Sequence, residues 1–182
     1  MTTVNDILAY MDTLAPKYMK MEWDNVGLLC GSSNQPVKTI LVALDPFEDV
    51  CQEAIEIGAD LIVTHHPIIF GNLRALTDET ATGRAILSLA RHGISAINAH
   101  TNLDCAPGGV NDVLASMLGL QDVQIINPSG TDGQGRPWGL LRMGYVPQQS
   151  LEDFLDEVKA TLQCDGLRYA GERPVEKVAV GG

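Results

Sequence analysis

Residues 39–66 read TILVALDPFEDVCQEAIEIGADLIVTHH. The first apolar run, Thr39 to Leu44, predicts a strand, Glu48 to Ile57 predicts a helix that stops at Gly58, and Leu61 to Val63 predicts a second strand. Because the runs are apolar without alternation, we expect strands that are covered on both faces. Strands that alternate with helices predict right-handed crossovers. The stretch therefore indicates the α/β class: a layered, mostly parallel sheet with flanking helices.

The same pattern continues on both sides of this stretch. Val4 to Leu14 has apolar residues at helical spacing and ends before Pro16. Thr80 to His92 predicts another helix, and Ser95 to Ala99 predicts the next strand. We expect residues 1–127 to form a first α/β lobe.

A second lobe is expected over residues 128–182. Its predicted parts are a Gly-rich linker or long turn at Pro128–Pro137, a strand at Trp138–Val146, a helix at Leu151–Leu162 with Ser150 as N-cap, and a strand at Val175–Val180. A strand of this kind normally turns into a loop and a helix, whereas this sequence stops at Gly182. The pattern therefore predicts an unfinished second lobe and a chain that is a fragment.

Composition excludes several classes of partner. The formal net charge of −11 argues against nucleic-acid binding, which needs clustered Lys and Arg. No run approaches the ~18 apolar residues of a membrane span, so no membrane association is expected. The four cysteines form no C-x-x-C pair, and no signal peptide precedes the first helix. These features predict a cytoplasmic protein with free thiols.

Three of the four histidines fall in two short motifs, Thr64-His65-His66-Pro67 and His100-Thr101-Asn102-Leu103-Asp104. Each motif follows a predicted buried strand. Ligands of open α/β sheets gather outside the carboxyl ends of the strands, so we expect these side chains to share one cleft. Imidazole and carboxylate groups suit zinc, iron, manganese and similar divalent ions. The two motifs therefore predict a metal site.

The number of ions and the roles of neighbouring residues stay open at this point. One ion would leave one of the paired histidines redundant, whereas two ions bridged by Asp104 would use both. His100 is either a ligand or a group that orients a ligand or contacts the substrate. Asp45, at the end of the first strand, either faces the same cleft or starts the helix. The segment Trp23-Asp24-Asn25 is either a substrate loop or an anchor for the amino-terminal helix. His92 is expected to cap a helix end.

These motifs resemble the dinuclear-metal family called GTP cyclohydrolase I type 2-like or Nif-three-like. The resemblance covers the whole chain and is carried, in order, by the segments Trp23-Asp24-Asn25-Val26-Gly27-Leu28, Thr64-His65-His66-Pro67, His100-Thr101-Asn102-Leu103-Asp104 and Gly108-Gly109-Val110-Asn111-Asp112. It implies that His65, His66 and Asp104 are ligands of two divalent metal ions, with Asp104 as the bridge. The family also uses a His and a Glu near its carboxyl terminus that are absent here, so the resemblance implies an incomplete site. It further implies a ring-shaped homohexamer.

The expected function is a divalent-metal-dependent hydrolase that acts on a nucleotide-like small molecule. The family name implies hydrolytic opening of the GTP ring with loss of formate. A metal-dependent phosphoesterase or pyrophosphatase is the second hypothesis, because two-metal sites commonly assist displacement at phosphorus. A non-catalytic metal-binding scaffold or regulatory protein is the third. Candidate catalytic residues are His100 and Asp45.

Overall fold

The computed structural model describes residues 1–182. Its helices are α1 (Val4–Leu14), α2 (Glu48–Glu56), α3 (Ala81–Arg91), α4 (Thr101–Cys105), α5 (Val110–Met117) and α6 (Leu151–Leu162). Its strands are β1 (Gly27–Cys30), β2 (Ile40–Ala43), β3 (Leu61–Thr64), β4 (Ser95–Asn98), β5 (Gln121–Ile126), β6 (Gly130–Thr131), β7 (Pro137–Trp138), β8 (Leu141–Gln149) and β9 (Val175–Val180). None of the helices has both the length and the apolar character needed to cross a membrane.

The chain divides into two compact units, Met1–Leu103 and Asp104–Gly182. The first unit is built on a four-stranded sheet with the order β1-β4-β3-β2. Strands β2, β3 and β4 run parallel, as the strand and helix order predicts, and β1 adds to β4 in the antiparallel sense. The α/β class and the mostly parallel sheet are thus confirmed.

The register of the three parallel strands aligns their carboxyl ends. Ala43 pairs with Thr64, and Thr64 pairs with Asn98, so all three strands finish on one level. The residues that follow therefore emerge along a single edge of the sheet. That edge carries the two histidine motifs.

Helices cover both faces of this sheet. On one face, α2 and α3 bury small and branched side chains against the central strands, and the cluster includes Cys51, Ala54, Ala85, Ile86, Leu89, Ile62 and Ala96. On the other face, Val4 of α1 packs with Leu61 and Ile97. Helix α1 begins with a capping box, in which Thr3 and Asp6 each accept a hydrogen bond from the other's backbone.

The expectation that every strand is covered on both faces is wrong for β2. Ile40 and Val42 on β2 are 38% and 74% exposed. β2 is the edge strand, and α1 packs over Leu61 and Ile97 of the inner strands instead. A continuous apolar run therefore marks a strand here without marking its position in the sheet.

The second unit contains an antiparallel sheet with the order β5-β8-β9. Helices α5 and α6 share a core with it that includes Ala115, Leu118, Val146, Phe154 and Val180. The segment expected as a linker or a long turn contains a short hairpin, in which β6 pairs with β7. The division into lobes at residues 1–127 and 128–182 stays a prediction.

Candidate metal centre

Three imidazole rings meet at the carboxyl edge of the parallel strands. His65 and His66 follow β3 directly, and His100 lies two residues beyond β4. The ring centroids are 4.9 Å apart for His65 and His66, 5.1 Å for His65 and His100, and 5.6 Å for His66 and His100. One ring nitrogen from each residue lies within 4.8 Å of one from each of the others. This spacing allows three nitrogens to bind a single ion.

The chain leaves the strand geometry at the point where the two consecutive histidines begin. In a regular strand their side chains would point to opposite faces. Here the Thr64 hydroxyl donates to the His66 carbonyl at 2.7 Å, and the His66 amide donates to the Leu44 carbonyl at 3.0 Å. These bonds fix a bend after Thr64, and the bend brings both imidazoles into one cleft.

Each imidazole uses its Nδ1 atom in a hydrogen bond to an oxygen. His65 Nδ1 lies 3.0 Å from the Ala99 carbonyl, His66 Nδ1 lies 2.6 Å from Asp45 Oδ1, and His100 Nδ1 lies 2.9 Å from Asp24 Oδ1. A carbonyl or carboxylate oxygen accepts, so each Nδ1 carries the proton and donates. A neutral imidazole that donates from Nδ1 has its lone pair on Nε2, which is the form in which histidine binds metals.

Asp24 is the more deeply buried of the two carboxylate acceptors, with a side chain that is 0% exposed. Besides His100, it accepts hydrogen bonds from the Thr101 hydroxyl, the Thr101 amide and the Asn25 amide. Burial acts to raise the pKa of Asp24, but the bonds from Thr101 and His100 outweigh it and lower the pKa. Asp24 is therefore an ionised carboxylate that holds His100 in one orientation.

Asp45 has the same relation to His66 in a more open setting. The His66 side chain is 43% exposed and that of Asp45 is 27% exposed. A cavity of about 550 Å³ adjoins the pair, and Phe47 and Asp49 also line it. The open side of the centre therefore lies next to His66.

The remaining predicted residues are placed as follows. Asp104 is 3% exposed, and its backbone carbonyl accepts a hydrogen bond from the Asn111 side chain at 3.2 Å. Its role as a metal ligand stays a prediction. His92 ends α3 as its C-cap, and its Nδ1 atom bonds to the Ser88 carbonyl at 2.9 Å.

The sequence alone left the roles of two acidic partners undecided. Asp24 and Asp45 are close to the histidines only in space, since Asp24 lies 76 residues before His100 and Asp45 lies 21 residues before His66. One signal was available: an acidic residue follows the end of β2, at the same edge as the histidine motifs. No comparable signal linked Asp24 to His100.

Comparison with protein families and curated proteins gives a consistent result. The model of the Duf34/NIF3 (NGG1p interacting factor 3) family matches residues 2–182. A relative named GTP cyclohydrolase 1 type 2 homolog, from Clostridium perfringens, is 36% identical over 180 residues, which are 97% of this chain and 68% of the relative. The protein of the same name from Bacillus subtilis is 39% identical over 166 residues, which are 91% of this chain and 42% of that protein.

Solved structures show the same similarity. A hypothetical protein of Staphylococcus aureus has a TM-score of 0.89 and 32% identity, over 99% of this chain and 71% of that one. A Bacillus cereus protein related to NIF3 has a TM-score of 0.90 and 26% identity, over 100% of this chain and 76% of that one. The chain thus shares its fold with these proteins over nearly all of its length.

Proposed function

Because the chain belongs to the Duf34/NIF3 family, we propose that His65, His66 and His100 hold a divalent metal ion and that the protein is a metal-dependent hydrolase. One observation carries the proposal. Oxygen acceptors orient all three rings through Nδ1, and one ring nitrogen of each lies within 4.8 Å of those of the other two at one edge of the sheet. Histidines with only a structural role have no need to meet in this way.

The donor set fits zinc, iron and manganese alike, because neutral imidazole binds each of them. A divalent cation at such a site supplies Lewis acidity, lowering the pKa of water and polarising a substrate oxygen. Asp104 stays proposed as a further ligand on the resemblance alone, and a second ion is proposed on the same ground. A homohexamer and a cytoplasmic location are likewise proposals.

The residues of the first unit divide the remaining tasks. Asp24 fixes the His100 ring from a fully buried position, and the Ala99 carbonyl fixes the His65 ring from the backbone. Asp45 orients His66. Among the four side chains of the two His–Asp pairs, that of His66 is the most exposed. Two rings are thus held rigidly, and the third faces the cavity through which a substrate reaches the centre. In this proposal His100 supplies a nitrogen donor and Asp45 positions one, and a direct contact of His100 with substrate is a further proposal.

For the substrate, we propose a nucleotide-like small molecule, with ring-opening hydrolysis of GTP as the first reaction to test. The names of the relatives in Clostridium perfringens and Bacillus subtilis support this choice. Hydrolysis of the purine ring releases formate, whereas a phosphoesterase releases phosphate, so the product separates the two enzyme hypotheses. Tight metal binding without release of either product favours the third hypothesis, a non-catalytic metal-binding scaffold or regulatory protein.

The test uses the purified chain reconstituted with zinc or with manganese. Bound metal is measured by elemental analysis, and formate and phosphate are measured after incubation with GTP. We expect the metal content and formate release to be lost together in His66→Ala. His92→Ala is the matched control, because His92 lies at the end of α3 and bonds only within that helix. If His66→Ala and His92→Ala bind equal amounts of metal, the proposed metal site is refuted.

A further inference from the structure

Two large aromatic side chains stand exposed beside the three imidazoles. Trp23 and Phe70 are each 61% exposed. A tryptophan that anchored α1 to the sheet would be largely buried, so the exposure disfavours that alternative for Trp23. Single exposed apolar side chains are ordinary, but adjacent ones form a contiguous apolar patch, and such patches often mark a binding site.

The two rings are adjacent to each other and to the candidate metal centre. Their centroids are 6.0 Å apart, with planes inclined at 56°. Trp23 lies 6.4 Å from the His100 ring, and Phe70 lies 6.1 Å from it, both nearly perpendicular to it. The rings are too close together and too inclined to sandwich a ligand between them. They form instead an exposed platform on which a planar ring can stack against the face of one of them and meet the other at its edge.

The two loops that carry these rings are tied together. The Asn25 side chain donates to the carbonyl of Ile69, the residue before Phe70, at 3.0 Å. The Asn25 carbonyl in turn accepts from the Asn98 side chain at 3.1 Å, at the end of β4. The platform is therefore fixed to the same strand end that leads to His100. Such fixed aromatic rings lose little entropy when a ligand stacks on them.

We propose that Trp23 and Phe70 form a stacking platform for a planar heteroaromatic ring, a purine base in particular, and that they hold the edge of this ring beside His65, His66 and His100. This inference rests on the proposed function and names its substrate class. Stacking on aromatic rings is a sequence-tolerant source of affinity for bases. The net charge of −11 gives phosphate groups little general attraction, so affinity for a nucleotide would have to come largely from its base.

The test measures Trp23 fluorescence directly. The chain has two tryptophans, so Trp138→Phe leaves Trp23 as the sole reporter. Guanosine monophosphate and ribose 5-phosphate differ by the base alone. We expect saturable quenching by the first, after correction for its absorbance, and none by the second. Equal responses to the two compounds, or no quenching by guanosine monophosphate, overturn the platform.

Variants measured by calorimetry separate the platform from a general loss of structure. Trp23→Ala and Phe70→Ala are each expected to raise the Kd of guanosine monophosphate about tenfold or more. Tyr10→Ala is the matched control, because Tyr10 is also 61% exposed and lies on α1. We expect an unchanged Kd in Tyr10→Ala and an unchanged metal content in all three. If Trp23→Ala dissociates an oligomer and leaves the Kd unchanged, the rings bind a second copy of the chain and the platform is refuted.

The outcomes also distinguish the platform from the hydrolase. If guanosine monophosphate quenches the fluorescence of zinc-loaded protein but this protein releases no formate from GTP, the platform is supported and the hydrolysis is refuted. If Trp23→Ala and Phe70→Ala release formate as the wild type does, the hydrolysis is supported and the platform is refuted.

Discussion

Replacing Asp45 by alanine isolates the contribution of one orienting carboxylate to metal affinity. In the structure Asp45 Oδ1 lies 2.6 Å from His66 Nδ1. Without this acceptor the His66 ring is free to rotate and to move its proton to Nε2, the atom that would bind the ion. Loss of such a partner costs about 10- to 100-fold in metal affinity. That range corresponds to ~1.4–2.7 kcal/mol of binding free energy.

The same change has little effect on folding. Both side chains are partly exposed, and pairs of this kind contribute about 0–1 kcal/mol to stability. Zinc affinity is measured by competition with a chromophoric chelator, and the free energy of unfolding by urea titration. We expect a large change in the first quantity and a small change in the second. Asp45→Asn should lie between the wild type and alanine, since its amide oxygen still accepts from Nδ1 but lacks the charge.

Asp49→Ala is the matched control for this experiment. Asp49 lines the same cavity and its loss removes the same charge, but its carboxylate bonds only to the neighbouring Val50 amide. We expect a change of less than about twofold in its zinc Kd, since only a distant, screened charge is lost. If Asp49→Ala and Asp45→Ala weaken zinc binding equally, the Asp45 carboxylate acts only through its electrostatic field. The argument from the orientation of the His66 ring is then wrong.

Three further predictions concern the scaffold of the first unit. Gly31 has φ +99°, and a Cβ there would lie 2.1 Å from the Ser95 hydroxyl. Gly31→Ala should therefore lower the thermal midpoint of unfolding strongly. A decrease no larger than that caused by a substitution at an exposed position contradicts this packing. Leu89→Ala should cost about 2–5 kcal/mol in urea unfolding, because Leu89 is 0% exposed in the core, and a loss below ~1 kcal/mol would show that the site collapses. Burial, with smaller contributions from Cys30, Asp49 and Glu48, raises the pKa of Cys51 from 9.0 to about 11. The folded state thus holds this proton more tightly, so its stabilising contribution is complete below about pH 9 and is lost as the pH rises toward 11. Urea titrations across this window should show an alkaline loss of stability that is smaller in Cys51→Ala than in the wild type, because burial also raises the pKa of Cys30, which the variant keeps.

The sequence predicted those elements whose ends carry local signals. Helices α1 and α6 begin where Thr3 and Ser150 cap them, and the predicted bounds agree with the structure. Helix α4 was not predicted, because its five residues are too few to show a helical period. The two strands of the β6–β7 hairpin were not predicted, because its Gly-rich composition is equally typical of a linker or a long turn.

The candidate site was predictable to the extent that strand ends determine it. Parallel strands and aligned ends bring His65, His66 and His100 together, as the motifs indicated. The pairing of Asp24 with His100 was not predictable, since it depends on how the loop after α1 folds over the end of β4. The exposure of Trp23 depends on the same loop. Composition alone therefore did not decide between a substrate loop and an anchor for the amino-terminal helix.

The pairing of Thr64 with Asn98 has a consequence for which length changes the protein tolerates. Because backbone hydrogen bonds lock these two residues side by side, adding or deleting a single residue within β3 or β4 would turn the following side chains away from their partners. The exposed segment formed by residues 71–76, between β3 and α3, belongs to no strand and is under no such constraint. Homologous sequences should therefore accept insertions freely in that segment while keeping both strands at constant length, and the outer rim of the cleft can diversify without disturbing the imidazoles.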